Sequence, residues 1–160
     1  MGLAAFCWLL SVPFPMPGGF SREHTVRVRT KHRFVEHVGE VELELEAPSE
    51  AGIFEAALVA FADLVAVDGD GEPASHDVEL GAGDRALLLV DWLSELVFLA
   101  EVEEFVPERV AAFELGGNRL RATVTGRRAR PRHLVKAVTL NNLELAEEGG
   151  IWHGRVVLDV

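Results

Sequence analysis

Polar side chains interrupt strand-like segments at three places, and their types suit the binding of cations and phosphates. The segment His37-Val-Gly-Glu40 breaks an alternating pattern, Lys136 begins the apolar run Lys-Ala-Val-Thr-Leu, and Asp159 follows Val-Val-Leu. Carboxylate oxygens are ligands for hard divalent cations, and a lysine ammonium attracts phosphate as a compact charge. If the three segments are neighbours in one sheet, they form a cation site beside an ammonium group.

A second pair of carboxylates, Asp91 and Glu95, lies in an otherwise apolar segment. Residues four apart share one face of a helix, so this pair could bind a cation or carry out acid–base chemistry. The alternative is a narrow polar stripe through which a mostly buried helix meets water. The sequence leaves both interpretations open.

Standard catalytic and ligand-binding signatures are missing from the sequence. It contains no P-loop, no dinucleotide-binding glycine pattern, no HExxH, no GxSxG and no EF-hand loop. The six histidines lack the spacing of metal ligands; they are His24, His32, His37, His76, His133 and His153. These absences argue against the particular families that carry those signatures.

The composition describes one acidic folded domain. The chain has 160 residues, 49% of them hydrophobic and 26% charged, which suits a packed domain better than a disordered or fibrous chain. A net charge of -11 disfavours non-specific binding to nucleic acid. The single cysteine, Cys7, excludes an internal disulfide and fits a reducing compartment, so we expect a cytoplasmic protein.

Residues 1–32 are expected to be an extension that precedes a single domain at 33–160. Its first dozen residues form an apolar run that is too short for a bilayer-spanning helix, and the stretch PFPMPGG reads as a linker. The extension is therefore expected to be poorly ordered or to result from a start assigned too far upstream. No membrane anchor is expected.

Hydrophobic periodicity predicts a strand, two capped helices and then a run of strands. Residues 41–46 alternate apolar and acidic side chains, as a half-buried strand does, and Ser49 and Asp84 stand where helix N-caps are wanted. The first helix should end near Asp68, and the second, 85–100, is apolar nearly all round and is predicted to be buried. Further strands are predicted at 74–80, 109–115, 119–125, 134–140, 143–146 and 151–160. This order favours the α+β class, with largely antiparallel sheets in a meander and two α-helices.

Charge is segregated along the chain. Residues 36–114 contain 21 acidic side chains and two basic ones, whereas residues 119–136, the basic hairpin, contain seven basic side chains and no acidic one. One interpretation is that these are solvated faces that attract each other. Another is that the basic hairpin, Arg119 to Lys136, makes a local or indirect contact with RNA.

From about Arg33 to Val160 the sequence resembles the archease family. Four segments carry the resemblance. The first is Phe34-Val-Glu-His-Val-Gly-Glu-Val, at the place of the family's E-H-T-A-D-I element, and the second is Leu88-Leu-Val-Asp-Trp-Leu-Ser-Glu-Leu, which is close to the family's LLVDWLNELL. The third is Lys136-Ala-Val-Thr. The fourth is Trp152-His-Gly-Arg-Val-Val-Leu-Asp-Val, which is like the family's terminal W-x-A-x-V-I-x-D-V. Their order and spacing agree with those of the family.

The resemblance implies a small α+β protein that is not itself an enzyme. Such a protein assists the RtcB-type RNA ligase of tRNA splicing and RNA repair, because it promotes guanylylation of the ligase and allows multiple turnovers. The resemblance also implies a divalent-cation site at Glu40, Asp159 and Val160, and a functional role for Lys136.

The sequence departs from the family pattern at two places, as a divergent member would. Glu40 replaces an aspartate, so this carboxylate is displaced by about 1.5 Å, which the flexible shell of calcium tolerates better than the octahedron of magnesium. Calcium is therefore the expected ion, with magnesium and manganese as alternatives. Leu140 and Asn141 stand where the family has Tyr-His.

Two other functions stay open. The same carboxylates, together with the Asp91 and Glu95 pair, could serve a metal-dependent phosphoryl-transfer enzyme or hydrolase, with Lys136 on the phosphate. Alternatively, the segregated charge suits an acidic, chaperone-like binding module. Nucleotide or phosphodiester turnover by the isolated protein would distinguish the enzyme from both other functions.

Overall fold

The computed structural model describes residues 30–37, 39–66, 71–133 and 135–160, which form seven strands and two helices. In chain order these are β1 (Lys31–His37), β2 (Glu40–Ala47), α1 (Glu50–Val65), β3 (Glu72–Gly81), α2 (Arg85–Glu101), β4 (Phe105–Gly116), β5 (Arg119–Arg128), β6 (Ala137–Glu148) and β7 (Ile151–Asp159). The predicted α+β class is confirmed. Residues 1–29 of the predicted extension, 1–32, lie outside the described residues. The strand β1 begins at Lys31, two residues before the predicted start of the domain at 33.

The strands form two antiparallel sheets. The first has the order β1-β2-β7-β6, and the second has the order β3-β5-β4. Within the first sheet β2 pairs with β7 along its whole length, so a strand from the start of the domain lies beside the last one. This pairing brings the two ends of the domain together.

Both helices begin at the residues that the sequence predicts. The side chain of Ser49 accepts a hydrogen bond from the main-chain N–H of Gly52 at 3.1 Å, and Asp84 accepts one from Leu87 at 2.8 Å. These bonds satisfy main-chain donors that the first helical turn leaves without a partner. Two local capping interactions therefore set where α1 and α2 start.

The helices pack against the sheets through a continuous apolar core. α1 contacts β2 in the first sheet and β4 in the second, and α2 contacts β6 and β4. Ile53, Phe54 and Phe61 of α1 are fully buried, and so is Trp92 of α2. Because α1 lies on strands of both sheets, the core joins them into one domain.

The strand β4 begins earlier than the sequence predicts. It starts at Phe105, ahead of Pro107, whereas the predicted strand starts at 109. Proline is tolerated here because β4 is an edge strand and its register shifts between Pro107 and Arg109. Gly126 lies opposite Pro107, and a Cβ at Gly126 would collide with the main-chain oxygen of Val106.

The predicted strands at 134–140 and 143–146 are one strand in the structure. β6 runs from Ala137 to Glu148, with an irregular register between Thr139 and Glu144. Asn142 adopts a left-handed backbone conformation with φ of 54° inside this irregular part. The predicted interruption between the two strands corresponds to this irregular part. On both sides of it the chain pairs with the same strand, β7, so β6 is one strand.

The prediction that α2 is buried is confirmed for most of the helix, and one narrow face meets water. Asp91, Ser94 and Phe98 are exposed, and the larger part of the helix, including Leu88, Leu93 and Leu96, is buried. Phe98 on this face is apolar yet exposed.

Candidate functional site

Glu40 and Asp159 lie directly opposite each other on neighbouring strands. They are Cα partners in the β2–β7 ladder, and their neighbours Val41 and Leu158 are partners that face the core. Since successive side chains of a strand alternate between the two faces of a sheet, both carboxylates project from the face opposite the core. Glu40 is exposed and Asp159 is half-buried. Two like charges in this arrangement repel each other.

Two hydrogen bonds hold Lys136 at the end of the first sheet where Glu40 and Asp159 lie. Its main-chain N–H donates to the oxygen of Asp159 at 2.8 Å, and its Nζ donates to the main-chain oxygen of Val160 at 3.0 Å. The N–H of Val160 donates to the oxygen of Gly39 at 3.1 Å, beside Glu40. The chain between β1 and β2 and the chain before β6 are therefore both bonded to the last two residues.

The structure brings together the four site residues that the sequence indicates. The strands β2, β7 and β6 are consecutive in the first sheet, which is the neighbour relation that the sequence argument required. Ala137, which follows Lys136, is the β6 partner of Asp159. Glu40, Lys136, Asp159 and Val160 consequently occupy one end of three adjacent strands.

The donor atoms at this end suit a hard cation. The carboxylates of Glu40 and Asp159 and the main-chain oxygen of Val160 are oxygen donors, the type that calcium prefers. Within the described part of the chain, no three His, Cys, Asp or Glu side chains form a group that could hold a metal ion. A cation between Glu40 and Asp159 would take these two side-chain carboxylates and complete its shell with main-chain oxygen and water.

Asp91 and Glu95 belong to another part of the molecule. They lie on α2, where Asp91 is exposed and Glu95 is half-buried, and neither is in the strands that pair Glu40 with Asp159. They share one helical face, as their spacing predicts. The exposure of Asp91 agrees with the interpretation of a polar stripe.

The basic hairpin is paired with acidic strands. β5 is the central strand of the second sheet, and its arginines and those that follow lie beside carboxylates of the neighbouring segments: Arg121 beside Glu79, Arg127 beside Glu108 and Arg130 beside Glu104. The hydrogen bond to Glu79 and the charge of that carboxylate raise the pKa of Arg121 above its ordinary value. The predicted attraction between acidic and basic segments is thus present. Lys136, the last residue of this basic segment, lies apart from the arginines of β5 and is bonded to Val160 at the end of the first sheet.

Arg155 is a charged residue near the site that the sequence argument did not single out. It lies on β7, with Nε 3.5 Å from Glu42 of β2 and Nη1 3.2 Å from Glu144 of β6. Its position four residues before Asp159 places both on the same face of β7, a period-two signal that was readable in the sequence. Arg155 links the three strands whose ends carry the candidate site.

No helix in the described ranges is long and apolar enough to cross a membrane.

The fold defines a class of small α+β proteins with two antiparallel sheets. The model of the Archease protein family (MTH1598/TM1083) matches residues 32–160. The chain belongs to the archease family.

Individual relatives support this assignment. The chain is 31% identical over 140 residues to protein archease of Methanosarcina mazei and 32% identical over 141 residues to that of Methanosarcina acetivorans; both matches cover 81% of this chain and 96% of the relative. The solution structure of Methanobacterium thermoautotrophicum protein 1598 matches with a TM-score of 0.61 and 25% identity, over 81% of this chain and 98% of that one. A crystal structure described as an archease and possible chaperone from Thermotoga maritima has the same fold, with a TM-score of 0.61 and 19% identity over 79% of this chain and 94% of that one.

Proposed function

We propose that this protein is a non-catalytic accessory protein that activates an RNA ligase of the RtcB type. It promotes guanylylation of the ligase and allows it to turn over repeatedly. Membership of the archease family supports this proposal, and the description of the Thermotoga relative as a possible chaperone supports the broader idea of an accessory role. The single cysteine, Cys7, fits a reducing compartment, and we place the protein in the cytoplasm.

The observation that carries the proposal is the pairing of Glu40 with Asp159 on one face of the central strands. A strand ladder holds the two carboxylates opposite each other, where their negative charges repel. A divalent cation bound between them would neutralise this repulsion, so the arrangement favours cation binding. When bound, the ion would supply a concentrated positive charge at this end of the sheet. Calcium suits the site best, since its flexible shell accepts the longer Glu40 side chain, with magnesium and manganese as alternatives.

In this proposal Lys136 positions the last two residues. Its Nζ holds the oxygen of Val160, and its main chain holds that of Asp159, so the Asp159 carboxylate keeps a defined place against Glu40. The exposed ammonium can also meet a phosphate of the ligase or its nucleotide. Removal of the amine abolishes the Nζ bond to Val160 and the phosphate contact, whereas the main-chain bond to Asp159 stays.

The test is a turnover assay with the cognate ligase and the full chain, carrying no tag after Val160, at substoichiometric concentration. We expect ligated RNA to exceed one product per ligase when calcium is present, and to fall to the level of ligase alone in EDTA. Glu40→Ala, Asp159→Ala and Lys136→Ala should each abolish activation and leave the far-ultraviolet circular dichroism spectrum unchanged. Glu55→Ala, at an exposed site on α1, is the matched control and should activate as the wild type does.

Retained activation in all three variants would refute the role of this site. Turnover of a nucleotide or phosphodiester by the isolated protein would refute the non-catalytic assignment. A salt-sensitive partner complex that survives both Glu40→Ala and Asp159→Ala would favour the acidic binding module instead.

A further inference from the structure

The exposed face of α2 combines carboxylates with bulky apolar side chains. Asp91, Ser94 and Phe98 are exposed along it, and Val102 follows at the helix end. Their spacing places them on one face. Phe98 is 46% exposed and Val102 is 63% exposed, although both are large hydrophobic residues. These two exposed side chains lie one turn apart and also line the groove beside the helix, so they belong to one apolar patch.

This face borders a groove between the end of α2 and the start of β6. The groove has a volume of about 620 Å³, and its apolar lining consists of Val97, Phe98, Val102, Val135, Ala137 and Val138. Its shape is maintained at one point by Glu101, whose carboxylate accepts a hydrogen bond from the N–H of Val135 at 3.4 Å. A bulky apolar side chain could lie in this groove with its flanking residues outside.

The side of the groove that α2 forms is acidic, and Lys136 is the basic side chain in the lining. Asp91, Glu95, Glu101 and Glu103 lie on α2 or directly after it, and all four are exposed or half-buried. The next acidic residue, Glu104, is paired with Arg130. An occupant with positive charge beside its apolar side chain would therefore match this surface.

The groove is continuous with the candidate cation site. Lys136 lines the groove and also bonds to the oxygen of Val160 through Nζ. Ala137, another lining residue, is the strand partner of Asp159. The groove and the candidate cation site therefore meet at the β6 edge of the first sheet through Lys136 and Ala137, while the carboxylates of Glu40 and Asp159 project from the other face of that sheet.

We propose that this face of α2, together with the groove, is the docking surface for the RNA ligase. The occupant is a segment of the ligase in which a bulky apolar side chain is flanked by lysine or arginine. This inference rests on the proposed function, since a protein that holds RNA phosphates carries basic side chains around its active site. Docking here holds the ligase at the end of the first sheet that carries Glu40 and Asp159, and it gives the Asp91 and Glu95 pair a role that the cation site does not.

The experiment measures the affinity of the full chain for the cognate ligase over a range of salt concentrations, alongside the turnover assay. Phe98→Ala/Val102→Ala should weaken binding at least tenfold. Asp91→Lys/Glu95→Lys should weaken binding severalfold and flatten its salt dependence. The matched controls lie on the exposed face of α1, where Val59→Ala and Glu55→Lys should leave affinity within twofold of the wild type. Urea unfolding of each variant checks that the fold is intact.

The outcomes separate the two proposals. If the wild type activates the ligase and both α2 variants bind with unchanged affinity, the docking surface is refuted and the proposed function stands. If the wild type neither binds nor activates the ligase, the proposed function fails and the inference fails with it. If sedimentation shows a wild-type dimer that Phe98→Ala/Val102→Ala converts to a monomer, the occupant is a second copy and the inference is overturned.

Discussion

The indole N–H of Trp92 donates a buried hydrogen bond to the main-chain oxygen of Phe54 at 2.9 Å, and this bond joins α2 to α1. Trp92→Phe removes the donor and part of a fully buried ring. We expect a loss of about 2–4 kcal/mol in the free energy of unfolding, measured by urea titration. Trp152→Phe, at a half-buried site on β7, is the control and should cost clearly less. Equal losses at both positions would contradict the importance of the bond.

Calcium should stabilise the folded protein through Glu40 and Asp159. A ligand that binds only the folded state stabilises it by about 2.7 kcal/mol at a hundred times its dissociation constant, so the melting temperature should rise with calcium. Asp159→Asn should abolish this rise, and without calcium it should melt at the same temperature as the wild type or higher, because a like-charge pair is gone. Asp91→Asn should keep the full calcium effect. An unchanged wild-type melting temperature in saturating calcium and in saturating magnesium would show that the pair binds neither ion.

Replacement of Lys136 should separate function from stability. The Nζ bond to Val160 is exposed, so Lys136→Met, which keeps the length of the side chain but not its charge, should change the free energy of unfolding by less than about 1 kcal/mol. Ligase activation should nevertheless be lost, and Lys136→Arg should restore part of it. The control is Lys31→Met, whose ammonium lies 3.7 Å from Glu46 on β2. Normal ligase activation by Lys136→Met would show that the Lys136 ammonium has no role in activation.

Gly126 should tolerate no side chain. A Cβ there would meet main-chain atoms of Val106 and Pro107, which cannot move without displacing β4. We expect Gly126→Ala to cost about 3 kcal/mol of stability in urea titration. A Cβ at Gly116 would meet no atom within 4 Å, so Gly116→Ala should be neutral or slightly stabilising. Equal free energies of unfolding for the two variants would show that the close approach of β5 to β4 at Gly126 does not exclude a side chain.

The isolated protein should bind RNA weakly. Its net charge is -11, and arginines of the basic hairpin such as Arg121 and Arg130 lie beside glutamates. We expect a dissociation constant above about 100 µM for a fluorescent tRNA fragment at physiological salt. Glu79→Gln/Glu104→Gln, which neutralises two of the carboxylates, should tighten binding and steepen its salt dependence. Tight binding by the wild type would instead show that the hairpin contacts RNA directly.

Local signals predicted the elements well. Ser49 and Asp84 cap the helices as their residue types and positions indicated, and residues 41–46 form a strand with the predicted inner and outer faces. These features depend on interactions between residues that are near in sequence, so periodicity and capping chemistry suffice to find them. Pro107 in β4 shows the opposite case, because a strand can include proline only when it lies at a sheet edge, which is a tertiary fact.

The residue pattern by itself indicated two carboxylates and an ammonium, each next to a strand, for the candidate site, and the family resemblance added the oxygen of Val160. The residue pattern also determined that the Asp91 and Glu95 side chains share a helical face. Only the tertiary structure decided that β2, β7 and β6 are adjacent, so that Glu40 lies opposite Asp159 and Lys136 reaches Val160. The physical reason is that strand order and register follow from how the whole apolar core is buried, and no short segment contains that information.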